Sequence, residues 1–279
     1  MPKANLGNVK IYYEEKGRGE AVLLAPPSWW PCVTWKVGVV PTLSLHYRTI
    51  IFDCRGTGRS DKPASGYSVS QFAKDCAGLL EHMGISRCHA VGFALGGQIV
   101  QALGIERPDL VATLTIAAAG PGSKRLDGGR RDLSPEVARE IHELGLERYI
   151  RGHIDNDDMA FNPKFYHAHR DVASALSDGL WSGQSTVEQF RLHERARLTW
   201  DALGKAPQVK VPTLILCGAE DDVNRRGSTP VDTARRLGEL VPGAELSLVP
   251  GVKHMTFWDG DGALAALQDF LARHPIATG

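Results

Sequence analysis

The order of apolar and polar positions divides the chain into three stretches of different rhythm. Up to about Ala119, short runs rich in β-branched residues and leucine alternate with segments of helical spacing, as in a sheet flanked by helices on both faces. Val9–Tyr13, Ala21–Leu24, Arg48–Phe52, Cys88–Val91 and Leu110–Ile116 are the expected strands. Most lack the polar alternation of a sheet with one wet face, so they belong in a buried, mostly parallel sheet. Between them, Ser68–Met83 sets Phe72, Cys76, Leu79, Leu80 and Met83 at helical spacing behind Ser68 as N-cap. A second helix follows Ala94, runs to about Glu106 and stops before Pro108.

The rhythm changes at Gly120-Pro121-Gly122-Ser123, which opens a stretch rich in charge, histidine and helix formers reaching about Lys205. Helices are expected over Pro135–Ile150, Pro163–Trp181 and Thr186–Leu203, the first with Ser134 as N-cap and proline at the first helical position. Strand-like sequence then resumes in Val211–Cys217 and Glu245–Val249, around a helix over Pro230–Leu240, and Gly262–Arg273 forms a last amphipathic helix. Residues 1–120 and 206–279 therefore read as one core domain, and residues 121–205 as a helical cap inserted into it.

Composition narrows the picture. The chain has 279 residues, 43% of them hydrophobic, which suffices for a large core. Lys plus Arg equals Asp plus Glu at 32 each, so no global field draws nucleic acid or an acidic membrane surface. The polar start, Met1 to Glu20, has no apolar run of a signal peptide, and no segment approaches the roughly 20 apolar residues of a membrane span. A cytoplasmic protein is expected. Cys32, Cys54, Cys76, Cys88 and Cys217 are scattered without a CxxC pair and read as free thiols filling the core. His167 and His169 stand two apart in an expected helix and so point in different directions, and no metal site is expected. His46, His82, His89, His142, His153, His193 and His274 read as surface or helix residues.

The informative segment is Val91-Gly92-Phe93-Ala94-Leu95-Gly96-Gly97, between an expected strand and an expected helix. It resembles the G-x-S-x-G elbow of the α/β-hydrolase fold superfamily, in which small neighbours let the central residue project from a sharp strand-to-helix turn. Alanine stands at the central position, and a methyl group cannot attack a carbonyl. The resemblance extends over nearly the whole chain. Asp53-Cys54-Arg55-Gly56-Thr57-Gly58-Arg59-Ser60 is similar to the family's structural loop after the fourth strand, and Val211 to Gly218 followed by Asp221 resembles the strand and turn presenting its acid. Asp222 is the nearest rival to Asp221, and Glu220 a weaker one. Leu248-Val249-Pro250-Gly251-Val252-Lys253-His254 resembles the segment carrying the family's catalytic histidine.

The resemblance implies an α/β-hydrolase fold with a mostly parallel eight-stranded sheet, and a catalytic set of position 94, Asp221 and His254. It implies oxyanion donors at the backbone amides of Leu95 and Ser28, the latter following Ala25-Pro26-Pro27 where the family usually has a His-Gly pair. Trp29, Trp30, Phe93, Phe161, Tyr166 and Trp181 are candidates to line the substrate pocket, with Phe165 and Phe190 beside them; packing between cap and core is the competing reading. No cofactor is expected, and the partner is a small-molecule ester or lactone, with C–C bond hydrolysis a close variant. The pattern carries no signature of an oligomeric state.

Three readings of Ala94 stand side by side. Alanine has replaced a serine nucleophile in an otherwise complete hydrolase; or the protein binds a small hydrophobic ligand without turnover; or His254 and Asp221 perform acid–base chemistry, as in a lyase or a cofactor-free oxygenase, that needs no nucleophile.

Overall fold

Successive residues of a strand face opposite sides of a sheet, and here each side has its own core. Ala21, Leu23 and Ala25 enter one core while Val22 and Leu24 enter the other, and Ile215 and Cys217 oppose Leu214 and Leu216 in the same way. Burial on both faces is the physical reason the central strands read as unbroken apolar runs. The computed structural model describes residues 2–122, 135–155, 160–182, 186–222 and 229–277. The expected N-cap Ser134, together with Ser123 and the side chain of His153, lies outside the described residues.

The strands are β1 (Lys3–Asn5), β2 (Lys10–Lys16), β3 (Ala21–Ala25), β4 (Arg48–Phe52), β5 (Cys88–Phe93), β6 (Val111–Ala117), β7 (Thr213–Gly218) and β8 (Glu245–Val249). They form one eight-stranded sheet in the order β1-β2-β4-β3-β5-β6-β7-β8. Strand β2 runs antiparallel to β1 and β4, and the remaining neighbours are parallel. The sheet thus has the α/β-hydrolase architecture. Chain order reverses at β3, which lies between β4 and β5, so the loops leaving β3 and β5 diverge and open a crevice at their carboxyl ends.

Helices α1 (Val39–Leu43), α2 (Val69–His82), α3 (Leu95–Glu106), α9 (Pro230–Leu240) and α10 (Gly262–Arg273) flank the sheet. Phe72, Leu79 and Leu80 of α2, Ile99 and Leu103 of α3, and Leu237 of α9 fill one core. Val39 and Leu43 of α1 and Leu267, Phe270 and Leu271 of α10 fill the other. Ser68 caps α2, its hydroxyl accepting from the Gln71 amide at 3.1 Å.

Between β6 and β7 lie α4 (Pro135–Leu144), α5 (Leu146–Asp155), α6 (Pro163–Ala168), α7 (Arg170–Trp181) and α8 (Val187–Thr199). Their apolar residues Ile141, Leu146, Ile150, Leu176, Leu180 and Phe190 join the second core. Two expected helices are each divided. Gly145, with φ of 79°, separates α4 from α5, and His169, at φ −131° and ψ 50°, separates α6 from α7. His167 and His169 therefore do not share a helix. Strand β1, helix α1 and the 3₁₀ turn at Cys32–Lys36 were not expected from the pattern, being too short to show a period.

Candidate active site

Strand β5 and helix α3 meet at Ala94, a non-glycine residue held at φ 51° and ψ −113°. Its amide donates to Ala117 O at 2.9 Å, anchoring the turn to β6. The turn is tight enough to exclude side chains around it. A Cβ on Gly92 would stand 2.1 Å from Gly96 O, and one on Gly96 would stand 2.0 Å from Ala25 O. A Cβ on Gly97 would meet Ala119 Cβ at 2.6 Å. Phe93 and Leu95 on either side are buried, whereas Ala94 is partly exposed. The backbone thus presents position 94 outward while burying its neighbours.

Asp221 follows β7 and is buried, and its Oδ2 accepts from His254 Nδ1 at 2.8 Å. Because a carboxylate accepts here, Nδ1 carries the proton and Nε2 is left as a base. Asp222 is exposed, and the Glu220 carboxylate instead accepts from Asn162 Nδ2 at 2.8 Å. The His254 ring lies 5.5 Å from the Phe93 ring, which places the imidazole beside the residue preceding the elbow. Thr256 donates its amide to His254 O at 2.7 Å. Position 94, Asp221 and His254 are therefore carried by the loops after β5, β7 and β8, all at one edge of the sheet.

Ser28 and Leu95 lie where the loop after β3 faces the start of α3, since Ala25 pairs with Gly92 across the sheet. Among the described residues neither amide has an intramolecular acceptor. The Leu95 amide opens a helix, where unpaired N–H groups and the helix dipole favour negative charge. The Ser28 side chain is buried and its Oγ has no partner among the described residues.

The candidate pocket residues separate by burial. Phe161 is fully buried and stacks on Phe165 of α6 at 6.2 Å, which packs it against that helix rather than on an accessible wall. Phe93, Trp29 and Trp30 are also buried and form an aromatic chain, Trp29 to Phe190 at 5.3 Å, Trp30 to Phe93 at 6.3 Å and Phe93 to Trp258 at 5.3 Å. Tyr166 and Trp181 keep partial exposure, together with Phe165.

Three buried polar groups stand where the sequence pattern gives no buried role: Asp259 is not singled out by it, and His193 and His89 read as surface or helix residues. Asp259 is buried, and its Oδ2 accepts from Lys253 N at 2.6 Å and Asn162 N at 2.8 Å, joining the His254 loop to the segment before α6. Burial holds its carboxyl above the usual aspartate range. His193 is no surface residue: it is fully buried, and burial pushes its imidazole down to about 4. His89 is likewise buried, in β5 between Thr113 Oγ1 at 2.9 Å and Glu20 Oε2 at 3.1 Å. The signals were present only as spacing: Asp259 follows His254 by five residues, and His193 shares a helix face with Phe190 and Ala196.

The Asp53 to Ser60 loop is a scaffold. Asp53 accepts from Cys32 N at 2.6 Å and Arg59 N at 2.8 Å, and a Cβ on Gly58 would stand 2.2 Å from its Oδ2. Arg55 makes a buried two-point pair with Asp75 at 2.6 Å. All five cysteines are buried free thiols, and burial pushes Cys88 and Cys217 up to about 12. Among the described residues no cluster of three or more His, Cys, Asp or Glu is arranged for a metal ion, and no helix is long and apolar enough to cross a membrane.

A family model described as the alpha/beta hydrolase fold matches residues 26–261. The chain is 27% identical to "Putative carbamate hydrolase RutD" of Azorhizobium caulinodans over 267 residues, 91% of each protein. It is 26% identical to the 2-hydroxy-6-oxononadienedioate/2-hydroxy-6-oxononatrienedioate hydrolase of Paraburkholderia xenovorans, over 91% of this chain and 87% of that one. The solved enol-lactonase of Burkholderia xenovorans shares the fold with a TM-score of 0.79 at 22% identity, over 97% of this chain and 100% of that one.

Proposed function

Because this chain belongs to the α/β-hydrolase fold family, we propose that its site is that of a carboxylic ester or lactone hydrolase lacking only the nucleophilic oxygen at position 94. The observation that carries the reading is the 2.8 Å Asp221–His254 hydrogen bond, retained beside an elbow that still holds its strained backbone. The relatives carry the names "Putative carbamate hydrolase RutD", 2-hydroxy-6-oxononadienedioate/2-hydroxy-6-oxononatrienedioate hydrolase and enol-lactonase, and hydrolysis at a carbonyl is common ground for the substrates so named. That breadth supports acyl transfer as the reaction class.

With serine at 94, His254 Nε2 takes the hydroxyl proton as Oγ attacks the substrate carbonyl, and the leaving alkoxide receives that proton from the imidazolium. Asp221 holds the ring in the required tautomer and stabilises its cation. The Leu95 and Ser28 amides face the oxygen on which charge develops. Water, deprotonated by His254, then releases the acid from the acyl-enzyme. With alanine at 94 the acyl-enzyme cannot form, and substrate is held without this turnover.

Ala94→Ser, assayed with p-nitrophenyl esters and lactones beside the unaltered chain, should gain hydrolysis on the order of a thousandfold or more. A serine variant no faster than the alanine chain removes the proposal. The same retained Asp221–His254 pair favours a second reading, acid–base chemistry without a covalent step, which activity confined to the alanine form would establish. Ligand binding by both proteins with hydrolysis by neither would make the site a receptor pocket.

A further inference from the structure

Helix α8 grips the loop after β3 by a side chain for which the acyl-transfer scheme gives no role. His193 Nδ1 lies 3.1 Å from Trp29 N, and its Nε2 lies 2.8 Å from Arg55 O and 3.3 Å from Thr57 Oγ1. An amide can only donate and a carbonyl can only accept, so Nδ1 is bare and Nε2 carries the proton. The ring is clamped by Phe72 at 5.1 Å and Tyr67 at 5.7 Å. Its lower anchor is rigid, because Arg55 is tied at two points to buried Asp75. Its upper partner is strained: Trp29 holds φ at 52°, a conformation that costs a non-glycine residue on the order of 1–3 kcal/mol and persists only where surroundings impose it. Phe190 of the same helix packs on the Trp29 ring at 5.3 Å, so α8 holds both the backbone and the side chain of this residue.

We propose that His193 is a positioning residue of the site: by accepting from the Trp29 amide it fixes the Ser28–Trp29 peptide plane and, through the Ser28 Cα that this plane shares with the Pro27–Ser28 peptide, restrains the Ser28 N–H toward the developing oxyanion. The proposal rests on the acyl-transfer reading above and adds a strut to it, running from the Asp53 to Ser60 scaffold through the cap to the oxyanion loop. No atom of His193 need touch substrate.

Two substitutions separate its halves. Asparagine offers an acceptor where Nδ1 stands and can still hold Trp29; glutamine offers a donor where Nε2 stands and loses Trp29. In the Ala94→Ser background, His193→Gln should lower kcat by about tenfold to a hundredfold with little change in KM, and His193→Asn should recover most of it. In the unaltered Ala94 chain, His193→Gln should speed hydrogen exchange of the Trp29 amide by about tenfold or more, and His193→Asn should not. Equal kcat losses in the two variants, tracking their melting temperatures, would reduce His193 to a packing residue and overturn the proposal. Unchanged Trp29 exchange in His193→Gln would overturn it too. The exchange measurement needs no catalysis, so an inactive Ala94→Ser protein would sink the hydrolase reading while the strut is still judged on its own.

Discussion

Ala94 keeps a left-handed backbone that alanine has no chemical use for, and the reason lies in its neighbours. The carbonyls of Ala25 and Gly96 occupy the volume where side chains at 96 and 92 would begin, so helix α3 approaches β3 only because those positions lack Cβ atoms. The elbow's geometry is thus a property of its glycines, and a hydroxyl at 94 adds chemistry without altering the turn. Gly96→Ala is expected to cost at least about 2–3 kcal/mol, since the three nearest atoms met, Ala25 O, Ala25 C and Pro26 O, belong to backbone that cannot swing aside. Urea denaturation of the two proteins checks this, and an unchanged midpoint would mean that α3 can shift away from β3 at little cost. The tautomer of His254 is likewise set by a neighbour, the Asp221 carboxylate at 2.8 Å.

At the scale of elements, the site is assembled from loop ends, each tied to a scaffold by a buried polar contact. Asp259 ties the His254 loop to the segment leading into α6, Asp53 ties the turn after β3 to β4, and the Arg55–Asp75 pair ties that loop to α2. Asp75→Ala leaves the Arg55 guanidinium buried without its partner, and stability should fall by about 3–5 kcal/mol. Chemical denaturation provides the test, and a loss below about 1 kcal/mol would show that water reaches Arg55 and replaces the carboxylate. The two divided helices belong to this scale as well. Apolar spacing runs through Gly145 and His169 with little interruption, yet the chain turns at both, because α5 and α7 gain more by packing on each other and on the second core than by continuing straight.

Across the whole molecule, one buried ring couples stability to acidity. The His193 imidazole sits near 4 when folded against an ordinary value of 6.5, so below pH about 6.5 the unfolded chain takes up a proton that the folded ring refuses. The stabilisation is complete above about pH 6.5 and is lost as pH falls toward about 4, amounting to about 3 kcal/mol for this ring. Denaturant midpoints measured from pH 7 to pH 4 should show this loss, and His193→Asn should remove that share of the slope; identical slopes in the two proteins would refute it. The sequence by itself determined the alternation of strand and helix, the buried parallel sheet and the local glycine pattern of the elbow, because apolar periodicity and backbone permissiveness act over a few residues. It also held, through resemblance, the expectation of Asp221 rather than Asp222 as the acid; the fold buries the first and exposes the second. Only tertiary structure decided the short strand β1, the burial of Phe161, His89 and His193, and the clasp made by Asp259. Each of these depends on which distant surface a side chain meets, and contact between residues 164 positions apart, as for Trp29 and His193, leaves no period in a linear chain.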